Sequence, residues 1–156
     1  MSTSEGHLLI VDDDAANRDM LSRRLARVGY TFQLAENGEA ACSLLDSSKF
    51  DLVLLDIQMP GMSGFDVLTR IRKTRSPIEL PVVLVTALNE SSDLANGLER
   101  GANDYITKPI DFVVALARIR NQQALRHAEA AGRERTNVAR SLREMALRSV
   151  SLNNEK

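Results

Sequence analysis

Leu52-Val53-Leu54-Leu55-Asp56-Ile57-Gln58-Met59-Pro60-Gly61-Met62-Ser63-Gly64 is the stretch on which the fold turns. Its first four residues are apolar without alternation, the pattern of a strand covered on both faces in a parallel sheet. Asp56 closes the run. Pro60 presets φ and the glycines permit unusual backbone angles, so a tight loop follows. Ser63 can cap a helix whose apolar positions are Phe65, Val67, Leu68 and Ile71. The segment reads as strand, loop and helix, with a carboxylate where the strand ends.

The same unit recurs on either side. Leu8–Val11, Thr31–Ala35, Pro81–Val85 and Asp104–Ile106 are further apolar runs bounded by turn or charged residues. Between them lie helical spacings: Met20, Leu21, Leu25 and Val28, then Ala40, Ala41, Leu44 and Leu45. Asp14 can cap the first helix, Gly29 can end it, and Gly101 can end a helix that starts near Ser91. Five strands alternating with five helices imply an α/β three-layer sandwich with right-handed crossovers. Sites in such folds gather at the carboxyl ends of the strands.

Four such ends carry polar groups. The first strand runs into Asp12-Asp13, the third into Asp56 and the fourth into Thr86-Ala87, while Thr107-Lys108-Pro109 follows the fifth. Singly, each is an ordinary turn, cap or strand residue. Together they place three carboxylates and an ammonium on one rim. Carboxylates that close repel one another unless a cation sits among them. Oxygen donors with no histidine or second cysteine nearby favour a hard ion such as Mg²⁺ over zinc, and one Mg²⁺ with one lysine neutralises three carboxylates.

Ile10-Val11-Asp12-Asp13-Asp14, the stretch from Leu54 to Gly64, Val85-Thr86-Ala87 and Tyr105-Ile106-Thr107-Lys108-Pro109 resemble the receiver domain of bacterial two-component response regulators, the CheY-like superfamily, across residues 7–122. The resemblance implies a flavodoxin-like (βα)5 fold with a parallel five-stranded sheet of order 2-1-3-4-5; that order comes from the resemblance and not from the strand pattern. It implies that Asp56 accepts a phosphoryl group from a sensor histidine kinase or a histidine phosphotransfer protein. Asp13, Asp56 and the backbone carbonyl of Gln58 would hold Mg²⁺, with Asp12 acting through a water. Lys108 would neutralise the transferring group, backbone amides near Ile57 and Ala87 would receive its oxygens, and Pro109 would fix Lys108 in place. Thr86 would then reach the phosphate and let Tyr105 swing inward, remodelling the face made by the fourth helix, fifth strand and fifth helix. Such a chain is a phosphoacceptor that assists its own phosphorylation and dephosphorylation rather than an enzyme. Leu88 stands where some relatives carry a polar group that assists water attack, which implies slow loss of the phosphoryl group.

The chain has 156 residues and a net charge of -1, which conceals an asymmetry. Residues 1–112 carry 11 basic and 17 acidic residues, whereas residues 113–156 carry 9 and 4. The sequence accordingly divides into a receiver over residues 1–122 and a helical extension over 123–156. From 111 to 152 there is no proline and only Gly132 among the glycines, so one long extended C-terminal helix is expected. Read as heptads, Ala117, Ala124, Ala131, Val138, Met145 and Leu152 form an apolar column. Its companion column, Val114, Asn121, Ala128, Arg135, Leu142 and Ser149, is mixed. Two readings stay open: a weak coiled-coil seam, or a helix whose first turns pack on the sheet while the remainder is a solvated linker.

Function beyond the receiver is bounded by exclusion. Residues 123–156 lack the turn and packed helices of a helix-turn-helix, so direct nucleic acid binding is not expected despite eight arginines between Arg118 and Arg148. No secretory signal opens the sequence, no run reaches the about 18 apolar residues of a membrane span, and a lone Cys42 forms no internal disulfide, so a cytoplasmic setting without membrane attachment is expected. His7 and His127 lack the surroundings of a phosphorylation box. The favoured role is a receiver that passes its signal through the C-terminal helix, by homodimerisation, to an output domain beyond Lys156. Arg133-Glu134-Arg135-Thr136-Asn137-Val138-Ala139-Arg140 is similar to linkers before nucleotide-cyclase domains. The alternatives are a stand-alone single-domain regulator and an aspartyl-nucleophile phosphatase. The phosphatase usually carries a second Asp two residues after the nucleophile, where this chain has Gln58.

Overall fold

The computed structural model describes residues 4–87 and 91–154; Leu88 lies outside the described residues, as does the side chain of Leu152. The strands are β1 (Gly6–Val11), β2 (Tyr30–Ala35), β3 (Leu52–Asp56), β4 (Val82–Ala87) and β5 (Asp104–Lys108). The helices are α1 (Ala15–Arg27), α2 (Gly38–Ser47), α3 (Gly64–Thr74), α4 (Ser91–Glu99) and α5 (Phe112–Asn154). All strand pairs are parallel and the sheet order is β2-β1-β3-β4-β5.

The unalternating strands are explained by what covers them. In β1, Leu9 and Val11 join Val53, Leu55 and Leu84 under α2 and α3, while Leu8 and Ile10 join Leu52, Leu54 and Val83 under α1 and α5. Both faces of the central strands are therefore dry, and each residue contributes to one core or the other. The edge strands β2 and β5 keep partly exposed positions.

Local chemistry sets the helix ends. Asp14 Oδ1 accepts the N–H groups of Ala16 at 2.8 Å and Asn17 at 3.3 Å, capping α1. Ser63 and Asp66 form a reciprocal capping box at the start of α3. Gly29 and Gly101 end α1 and α4 with φ of 97° and 104°, a left-handed conformation that a side chain would strain. Gly64 is required by close approach: a Cβ there would collide with the carbonyl oxygen of Asp56 and lie 2.8 Å from Ile57 Cα. The start of α3 is thereby seated against the end of β3.

The chain divides into two compact units, residues 1–123 and 124–156. In the first, Tyr30 Oη donates to Gln123 Oε1 at 2.6 Å and Gln123 Nε2 donates to the Glu5 carbonyl at 2.9 Å, tying α5 to the amino-terminal edge. The second unit continues α5 as helix. No helix among the described residues is long and apolar enough to cross a membrane.

One structural residue is not visible in the sequence. Arg72, on α3, donates from Nε to Gly101 O at 2.8 Å, from Nη1 to Leu80 O at 2.8 Å and Ser76 O at 3.2 Å, and from Nη2 to Asn103 Oδ1 at 2.9 Å. Burial lowers its pKa to about 10. The guanidinium joins the end of α3, the entry to β4 and the α4–β5 turn, a geometry that the three donors of an ammonium cannot reproduce. Arg72→Lys is expected to lower the unfolding free energy by about 2–3 kcal/mol, measured by urea titration; a loss below about 0.5 kcal/mol would show that the fork is dispensable.

Candidate functional site

The register delivers the polar strand ends to one rim. Val11 pairs with Leu55, one residue before Asp12 and Asp56 respectively, while Asp56 pairs with Val85 and Ala87 with Lys108. Asp12 and Asp56 are each 1% exposed, whereas Asp13 is exposed. Carboxylate oxygens of these three residues lie within 4.8 Å of one another.

Each carboxylate is held differently. Lys108 Nζ donates to Asp56 Oδ2 at 2.9 Å, and the Gln58 N–H donates to Asp56 Oδ1 at 3.3 Å. Asp12 Oδ1 accepts the Asp14 N–H at 2.9 Å, and Asp12 Oδ2 accepts Asn17 Nδ2 at 3.3 Å. Arg18 Nη1 donates to the Asp12 carbonyl at 2.6 Å. Neither Asn17 nor Arg18 stands out in the sequence. Their positions five and six residues after Asp12, in the opening turns of a helix that starts at the rim, are the signal that could have found them.

Burial pushes the Asp56 pKa up to about 6; the Lys108 hydrogen bond opposes that rise and the charge of Asp12 adds to it. Burial pulls Lys108 down, but its hydrogen bond to Asp56 and the charges of Asp56, Asp12 and Asp13 more than offset this, leaving its pKa raised. A cluster of three close carboxylates, made only of oxygen donors and with the Asp56 pKa raised, fits a hard divalent cation.

Thr86 is buried at the end of β4, and its hydroxyl makes a 3.5 Å contact with the Ala87 carbonyl, at the outer limit of a hydrogen bond. That hydroxyl keeps its donor capacity. Tyr105 is half-buried against the core beneath α2 and α3. The Lys108–Pro109 peptide is cis. The Ile57 N–H, expected to face a ligand, instead donates to the Val85 carbonyl at 3.1 Å as part of the sheet. The neighbouring amide directed at the Asp56 carboxylate is that of Gln58. His7 stacks on Phe50 at 5.1 Å and contacts Thr31 Oγ1 at 2.7 Å, at the opposite end of β1 from the rim, and His127 is exposed on the extension.

The family described as the response regulator receiver domain matches residues 8–120. The chain belongs to that family. The transcriptional regulatory protein AfsQ1 of Streptomyces coelicolor is 43% identical over 113 residues, covering 72% of this chain and 49% of the relative. The response regulator PleD of Caulobacter vibrioides is 39% identical over 133 residues, covering 81% of this chain and 29% of the relative. A CheY-like receiver domain protein from Methanospirillum hungatei is 29% identical with a TM-score of 0.74, covering 82% of this chain and 99% of that one. The chain spans about half or less of the length of these curated relatives.

The receiver's acidic rim has a measurable cost. A carboxylate whose folded pKa is raised destabilises the fold once ionised, so stability is lost as pH rises through about 6. In metal-free buffer, Asp56→Asn is expected to raise the melting temperature at pH 7.5 by about 3–6 °C and to have little effect below about pH 4. Calorimetry across pH checks this; an unchanged or lowered melting temperature at pH 7.5 would contradict it.

Proposed function

We propose that Asp56 accepts a phosphoryl group from the phosphohistidine of a sensor histidine kinase or histidine phosphotransfer protein. The observation that carries this is a buried Asp56 carboxylate bound by Lys108 at 2.9 Å, within reach of two further carboxylates at an open rim. An Asp56 oxygen forms the new O–P bond as the P–N bond breaks and its electron pair leaves with the imidazole. Lys108 is placed to neutralise charge on the transferring oxygens. Asp13, Asp56 and the Gln58 carbonyl would hold Mg²⁺, with Asp12 through a water; when bound, the ion screens the carboxylates and draws charge from the phosphoryl oxygens. The amides of Gln58 and Ala87 are the backbone donors assigned to the product, since that of Ile57 serves the sheet.

Phosphorylation exchanges one negative charge for about two and adds three strong acceptor oxygens. Thr86, whose hydroxyl is weakly engaged, turns to one of them, and Tyr105 follows inward from its half-buried position. The face formed by α4, β5 and α5 then changes shape and homodimerises with help from the C-terminal helix, passing the signal to an output domain. The length of the curated relatives and their description as regulators support an output of that kind.

With Mg²⁺ and acetyl phosphate or a phosphorylated histidine donor, the wild-type chain should incorporate about one acid-labile phosphate. Asp56→Asn should incorporate none. Lys108→Ala should slow incorporation by roughly 10²-fold or more, and Thr86→Ala should take up phosphate without the change in sedimentation. Stoichiometric labelling of Asp56→Asn would overturn the assignment.

A further inference from the structure

A cleft of about 550 Å³ lies between α2 and the last turns of α3, within the roughly 300–1,000 Å³ of small-molecule sites. Leu45 of α2, Ile71 of α3 and Leu80 form its apolar lining. Leu80 stands two residues before β4 begins, whereas Thr86 lies near the other end of that strand, so the cleft is separate from the acidic rim. Its walls are tied in place. Arg72 donates to the carbonyls of Ser76 and Leu80, which fixes the connection from α3 to β4. Arg70 Nη2 donates to Asp46 Oδ2 at 2.9 Å and joins α3 to α2.

The charges around this lining are unequal. Arg70, Lys73 and Arg75 face a single acid, Asp46, so three positive charges and one negative leave two positive. Arg70 is the partner of Asp46, while Lys73 and Arg75 enter no ion pair among the described residues. Basic side chains at the end of a helix are ordinarily explained by its free carbonyls. Here Arg72 takes that role, with Nη1 also 3.4 Å from the Arg75 carbonyl. Two cations are therefore left facing the cleft without a partner in the chain.

A matching ligand carries two negative charges on an apolar body. A lone carboxylate supplies one charge, and inorganic phosphate leaves the apolar lining uncovered. A phosphate monoester supplies about two charges and three acceptor oxygens, which suit an ammonium beside the planar fork of a guanidinium. We infer that the cleft between α2 and α3 binds a phosphate monoester of an aromatic alcohol, its phosphate held by Lys73 and Arg75 and its ring lying against Leu45 and Ile71. The inference is independent of phosphoryl transfer at Asp56.

Titration of the full chain with phenyl phosphate in magnesium-free buffer, followed by methyl NMR, tests it. Saturable shifts are expected at Leu45, Ile71 and Leu80, with Val11, Leu55 and Val85 near the rim unmoved. Phenol and inorganic phosphate should each bind at least about tenfold more weakly, because each offers only half of the complementarity. Lys73→Gln, a change at an exposed side chain, should weaken phenyl phosphate several-fold, and Lys73→Gln with Arg75→Gln by roughly tenfold or more. Shifts confined to the rim, or none at all, would overturn the inference. So would inorganic phosphate binding as tightly as the ester, or undiminished binding by the double variant.

Discussion

A buried Asp56 carboxylate set close to those of Asp12 and Asp13 is the constraint around which the rim is organised. The sheet register forces these groups together, and Lys108 supplies the neighbouring ammonium. Burial is the largest cause of the raised pKa of Asp56, and the charge of Asp12 adds to it. Elements that contribute nothing to hydrophobic stability acquire a reason for their places: Asp14 and Asn17 hold the Asp12 carboxylate, and Arg18 takes its carbonyl. Gly64 lets α3 begin directly against the backbone that carries Asp56. Such a rim of oxygen donors fits a hard divalent cation, which on the proposed reading would share the charge of the transferred phosphoryl group.

Much of this was legible in the chain because both faces of β1, β3 and β4 are buried, so their residues read as continuous apolar runs. The ends of the strands were less legible. The apolar runs stop at Leu55, Val85 and Ile106, yet the ladder continues through Asp56, Thr86, Ala87 and Lys108, because polar residues at the rim still form backbone pairs. The caps at Asp14 and Ser63, each a single short side chain, were read, whereas Asn37, which accepts the Ala40 N–H to cap α2, was not. Arg72 was hidden, since its partners are carbonyls and an amide oxygen in two connections, α3–β4 and α4–β5, joined only by tertiary folding. The bond that commits the Ile57 amide to Val85 was hidden for the same reason.

The C-terminal helix poses a different problem. Its composition supports both a solvated linker and a seam, since arginines and alanines suit either. Val138, Leu142, Met145 and Leu147 are exposed apolar side chains on it. In the proposed function the rim receives the phosphoryl group and the helix carries the resulting change onward.

Calorimetric titration of the chain with Mg²⁺ near pH 7.5 addresses the organising constraint most directly. Removing repulsion among the carboxylates should appear as saturable uptake of about one ion per chain and a matching rise in melting temperature. Both should be lost in Asp13→Asn, whose side chain is exposed and carries no core contact. An absence of uptake by the wild-type chain, or full uptake by the variant, would contradict the account.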